Sequence, residues 1–162
     1  VNPRVVFATR SVAVANDLFP LGGGLGNYGG FAASIFDSEL YYQYGMDQYS
    51  WFDLGLYKVD TFWPHILGEA GYLGLLFFIL FLIVLFRQLL LFHKQIMRSG
   101  GNLFTSKMAI SAFIFLVLNS FASPNFYSTV DVYLTFVFFS MMVHNQVHAK
   151  LKASNGEYRV IK

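Results

Sequence analysis

Between Ala70 and Phe86 the chain carries no charge and is dominated by Leu, Ile, Phe and Val. A helix that is apolar on every side has no face for water, so it lies in a protein core or in lipid. With its flanks, about residues 68–92, the run reaches the roughly 20 apolar residues that cross a bilayer at 1.5 Å each. Two further stretches follow, about 103–121, charge-free from Met108, and about 130–147. The third is the weakest, with Asp131 at its start and His144, Asn145 and Gln146 at its end. Ser123-Pro124-Asn125 between them is turn chemistry. Lipid leaves backbone groups no outside partner, so all three read as helices.

Composition agrees. The chain is 56% hydrophobic and 12% charged, where soluble domains run about 45–50% and about 25%. Disorder needs the opposite balance. No Cys is present, which excludes disulfides, zinc–thiolate sites and Cys nucleophiles. A net charge of +2 gives no case for nucleic acid. The chain opens at Val1, without a signal-peptide pattern. It reads as a piece of a longer protein or a processed one.

Charge sets an expected topology. Arg87, Lys94, Arg98 and Lys107 follow the first run with no acid among them, and Lys150, Lys152, Arg159 and Lys162 follow the third against Glu157 alone. Residues 1–69 hold three bases (Arg4, Arg10, Lys58) and seven acids. Lys and Arg collect in short cytoplasmic loops. Residues 1–67 and the turn near Pro124 are therefore expected outside the cytoplasm, with 93–107 and the tail inside. The expected divisions are 1–19, a helix leading into a loop; 20–67, a Gly- and aromatic-rich loop with short helices; 68–148, three membrane helices; and 149–162, a tail.

Four features of the outer segment carry chemistry. Residues 22–30 hold six glycines, too many for a helix. They make a structural turn or a backbone cradle for an anion or sugar; the Walker and Rossmann patterns are absent. Residues 41–63 hold nine aromatics, Tyr42, Tyr44, Trp51 and Trp63 among them. These form an interface belt or a carbohydrate platform with hydrogen-bonding tips. Arg4 and Arg10 suit phosphate or snorkel at a helix end; about 240° apart on a straight helix, they cannot face one site. Asp60, His65 and Glu69 stand at the entrance of the first run, where Pro64 suits a first turn. His65 and Glu69 share a helix face. Glu69 is a base or orienter, or a tie between helices. The ligands are too few for a metal.

Together, 19-FPLGGGLGNYG-29, 41-YYQYG-45 and 60-DTFWPHILGEAGYLG-74 resemble the C-terminal part of the O-antigen polymerase and O-antigen ligase superfamily over about residues 4–86. The resemblance implies an all-α polytopic protein of the bacterial inner membrane, of which this chain is the C-terminal fragment. Residues 20–67 would be its periplasmic loop, and its C-terminus would be cytoplasmic. It implies glycosyl transfer from undecaprenyl-pyrophosphate-linked oligosaccharide, without metal or cofactor.

Arg4, or second Arg10, would neutralise the leaving pyrophosphate. Asp60 would serve as base or orienter, with His65 as a further candidate. Gly24, Gly26, Tyr28, Tyr42, Tyr44, Trp51 and Trp63 would line the substrate. Glu69, Gly71 and Gly74 would brace the helix entrance through close packing. Ligases usually carry His about nine residues before the Glu; Asp60 stands there, which favours a repeat-unit polymerase. A ligase acting on lipid A–core, or a non-catalytic transport or structural subunit, are the alternatives. Expected partners are the lipid-linked oligosaccharide, membrane lipids, the protein's own N-terminal helices and a chain-length regulator.

Overall fold

The computed structural model describes residues 1–54, 58, 61–100, 102–124, 126 and 129–154. The described residues are all-helical, with no strand. In order they form α1 (Pro3–Asp17), α2 (Phe31–Ile35), α3 (Glu39–Gln43), α4 (Ser50–Asp53), α5 (Trp63–Arg98), α6 (Phe104–Asn119) and α7 (Thr129–Ser154). The chain divides into two compact units, Val1–Phe81 with Asn119–Phe126, and Leu82–Leu118 with Tyr127–Lys162. The division falls inside α5.

The first unit is built on α1. Asn2 caps it by accepting the Arg4 amide at 3.0 Å, and Pro3 opens its first turn, where a missing N–H costs nothing. One face, Val6, Phe7, Ser11, Val14 and Ala15, is buried. Against it lies a core of Tyr28, Ala33, Tyr41, Met46 and Phe52. Phe7 meets Tyr28 and Tyr41 edge-on, at 5.8 and 6.1 Å, the arrangement that aromatic quadrupoles favour. The buried Lys58 closes this core. Its ammonium sits 3.8 Å over the Phe52 ring and 3.4 Å from Asp37 Oδ1, so the cation is paired.

α5 is interrupted once, at Gly71, with φ 62° and ψ −163°, a conformation reserved for glycine. Beyond it, Leu76, Phe77, Leu80 and Phe81 are exposed. Only 11% of the most apolar 18 residues is buried, the reverse of a soluble core helix. Among the described residues, α5 is the one helix long and apolar enough to cross a membrane; α6 is apolar but shorter. The fold is thus compatible with a membrane helical protein. Three spans are not shown, because α6 has 16 residues and α7 interrupts its apolar run with polar side chains.

In the second unit those polar side chains face partners. Asn145 donates to Thr105 Oγ1 at 2.9 Å, and the side-chain amide of Gln146 donates to Gln95 Oε1. His93 Nδ1 lies 2.8 Å from Ser106 Oγ. Phe86 stacks on Phe113, and Phe92 meets Phe139 edge-on. Hydrogen bonds of this kind hold helices together where apolar contact alone does not discriminate.

Candidate functional site

The glycine run is a clamp on the entrance of α5. In an unbroken helix the carbonyls of Gly68 and Glu69 would accept the amides of residues 72 and 73. The interruption at Gly71 redirects this pairing. Gly23 N donates to Gly68 O at 2.8 Å, Gly24 N to Glu69 O at 2.9 Å, and Leu73 N to Pro20 O at 3.2 Å. The two carbonyls and the Leu73 amide thus find new partners across the break.

Such contact needs bare α-carbons. A β-carbon on Gly71 would stand 2.3 Å from Pro20 O, and one on Gly68 2.3 Å from Tyr28 Cδ1. One on Gly22 would stand 2.5 Å from Gly71 N. Gly74 faces the Ala70 methyl of its own helix rather than a second helix.

The Glu69 carboxylate completes the clamp. Its Oε1 accepts the amides of Gly26 at 2.9 Å and Tyr28 at 3.3 Å, and its Oε2 lies 2.8 Å from His65 Nε2. The residue is 7% exposed, a buried carboxylate made tolerable by its donors. His65 in turn packs under the Gly29–Gly30 backbone. Glu69 is therefore placed as a tie, its oxygens occupied from within the protein.

The other sequence candidates divide between core and surface. Tyr28 is fully buried, and its hydroxyl donates to Phe7 O at 2.6 Å, fastening the glycine run to α1. Burial pushes its phenol well above the ordinary range, opposed by the nearby Arg10 charge. Gly24 and Gly26 spend their amides on Glu69. Trp63 stacks on Phe121 at 5.1 Å and donates to Ser120 Oγ at 3.0 Å.

Tyr42 and Tyr44 hold acids, Tyr42 donating to Asp37 and Tyr44 to Asp17 at 3.0 Å. The bond to Tyr42 lowers the pKa of Asp37, helped by Lys58. Trp51 lies parallel to Tyr49 at 5.6 Å, half-buried, and among the described residues its Nε1–H has no acceptor. Arg4 is exposed at the start of α1, and Arg10 is half-buried two turns on. α1 is one helix, so the two point to different sides, as their spacing requires. Asp60 lies outside the described residues.

Sequence assigns no site role to Phe7 or Lys58, and gives Tyr41 only a place in the aromatic cluster and the 41–45 motif, yet all three belong to the packing of the loop unit. Phe7 carried one available signal, as the only aromatic in α1. The glycine run, the helix entrance and the two arginine-bearing turns of α1 thus form one assembly through Tyr28 and Glu69. Comparison with family models, curated proteins and solved structures finds no match for the chain.

Proposed function

We propose that this chain is part of a multi-pass bacterial inner-membrane glycosyltransferase. It polymerises undecaprenyl-pyrophosphate-linked oligosaccharide repeat units of a surface polysaccharide at the periplasmic face. α5, α6 and α7 are its spans, with the N-terminal loop unit outside and the C-terminus in the cytoplasm.

One observation carries the reading. Two of the three segments on which the family resemblance rests, 19–29 and 60–74, are bonded to each other through Gly23 and Gly68, and through Gly24, Gly26 and Glu69. Motifs that recur together in order are expected to meet in space, and these meet at the mouth of the apolar helix, where a lipid-linked donor arrives.

In this reading a hydroxyl of the acceptor glycan attacks the anomeric carbon of the donor sugar. The bond from that carbon to the pyrophosphate oxygen breaks, and undecaprenyl pyrophosphate leaves. Asp60 takes the hydroxyl proton. Arg4, with Arg10 in second place, offsets the negative charge that grows on the leaving group. Glu69 and the glycines hold the entrance in shape. No metal or cofactor takes part. A chain-length regulator is the expected protein partner.

The test is a surface-glycan ladder from a deletion strain carrying the full-length protein, wild type beside Arg4→Ala and Asp60→Ala. Loss of the ladder with a single repeat still on the anchor supports polymerisation and these roles. Loss of all attached glycan indicates a ligase. An unchanged ladder removes both residues from the chemistry.

A further inference from the structure

From Leu18 to Phe36 the chain has no Asp, Glu, Lys or Arg over 19 residues. Soluble surface of that length carries about five charges at ordinary composition. Within it Phe19, Leu21, Leu25, Phe31, Ile35 and Phe36 are 64–85% exposed. Phe31 and Ile35 stand one helical turn apart on α2, on one face. The acids that bracket the stretch, Asp17 and Asp37, are held by the hydroxyls of Tyr44 and Tyr42.

The level of the stretch is fixed against α5. Pro20, Gly23 and Gly24 are bonded to Leu73, Gly68 and Glu69, and the charge-free run of α5 begins at Ala70. The Phe19 ring lies 6.2 Å from that of Tyr72. At Phe19 the exposed apolar surface of the loop therefore meets that of α5, where the charge-free run starts.

We infer that Leu18–Phe36 is a membrane foot: it rests in the headgroup–acyl boundary of the leaflet that α5 enters, and its partner is the lipid bilayer. Apolar side chains at this depth are matched by lipid rather than water, and the uncharged backbone turns of the glycine run stay within reach of headgroup water. An exposed apolar patch of this extent marks an interaction surface. The foot would hold the glycine clamp at the bilayer surface, where a lipid-linked pyrophosphate lies. This inference rests on α5 crossing the membrane.

The test uses the full-length protein in phosphatidylethanolamine–phosphatidylglycerol nanodiscs. The chain has no Cys, so single substitutions at Phe19, Leu21, Phe31 and Ile35 to Cys can carry an environment-sensitive fluorophore, once any Cys elsewhere in the protein is replaced. Phe77→Cys reports the middle of α5, and Glu39→Cys and Asp47→Cys report exposed loop. Spin-labelled lipids carry the quencher at the headgroup or deep in the chain.

At the four foot positions the headgroup quencher is expected to act at least twofold more strongly than the deep one. Phe77→Cys should show the reverse order, and the two loop controls no quenching. If Phe77→Cys is quenched while the foot positions report water, or are shielded without quenching, the foot is wrong and the membrane reading stands. Shielding would mean that protein covers the patch. If Phe77→Cys is unquenched as well, both fall.

Discussion

Gly22 and Gly71 meet backbone to backbone, so close that a β-carbon on Gly71 would stand 2.5 Å from the Gly22 amide nitrogen. That contact turns a glycine-rich run into a fastening for the mouth of an apolar helix. The break in α5 is built on it.

Gly71→Ala should be severe. It adds a methyl group at a positive φ and drives it against the Pro20 carbonyl. Backbone strain costs of order 1–3 kcal/mol, and overpacking adds roughly as much. Gly100, also at positive φ, has nothing within 4 Å of an added β-carbon, so Gly100→Ala should cost only about 1–2 kcal/mol. Thermal unfolding in detergent compares them. Equal losses would contradict the close contact.

Glu69→Ala leaves the buried Tyr28 amide without an acceptor, at about 1–3 kcal/mol, and the half-buried Gly26 amide without its partner at a smaller cost. Glu69→Gln keeps an oxygen for them. Hydrogen exchange should show both amides losing protection in the alanine variant and retaining most of it in the glutamine variant. Equal loss in the two would mean that the carboxylate charge, not its acceptor geometry, holds the turn.

Tyr41 and Tyr28 should ionise late. Burial, as the largest cause, pushes Tyr41 up to about 12 and raises Tyr28 as well. Both phenols are neutral in the fold, so the unfolded chain loses these protons first. Their contribution to stability is complete below pH 10; that of Tyr41 is lost as pH climbs from there through about 12, and that of Tyr28 at higher pH still. Absorbance titration of the wild type against Tyr41→Phe and Tyr28→Phe checks it. Difference curves centred near pH 10 would show that these rings are wet.

Trp63→Phe keeps an aromatic ring against Phe121 but removes the donor to Ser120. A net hydrogen bond is worth about 0.5–1.5 kcal/mol, and chemical denaturation should lose that much. A loss of glycan binding with stability unchanged would instead return Trp63 to the substrate.

Much of this was legible in the sequence. The charge-free run announced α5, and Pro64 announced its first turn. The break at Gly71 was not legible, since Gly71 and Gly74 suit a continuous, closely packed helix equally well. Its cause is the distant Pro20–Gly22 backbone, just as Gly26 lies 43 residues from Glu69, and spacing along a chain does not encode such meetings. The aromatics were ambiguous for a related reason: a sugar platform, an interface belt and a packed core share one composition. Only burial separates them, and it places Tyr28, Tyr41 and Phe52 inside.

Polymerisation by the purified full-length protein in liposomes tests the proposed glycosyl transfer most directly. Supplied with undecaprenyl-pyrophosphate-linked repeat units, the wild type should build chains of two or more repeats and release undecaprenyl pyrophosphate. Arg4→Ala should do neither while still folding. Wild-type protein that binds the substrate yet leaves every repeat unjoined would contradict the account.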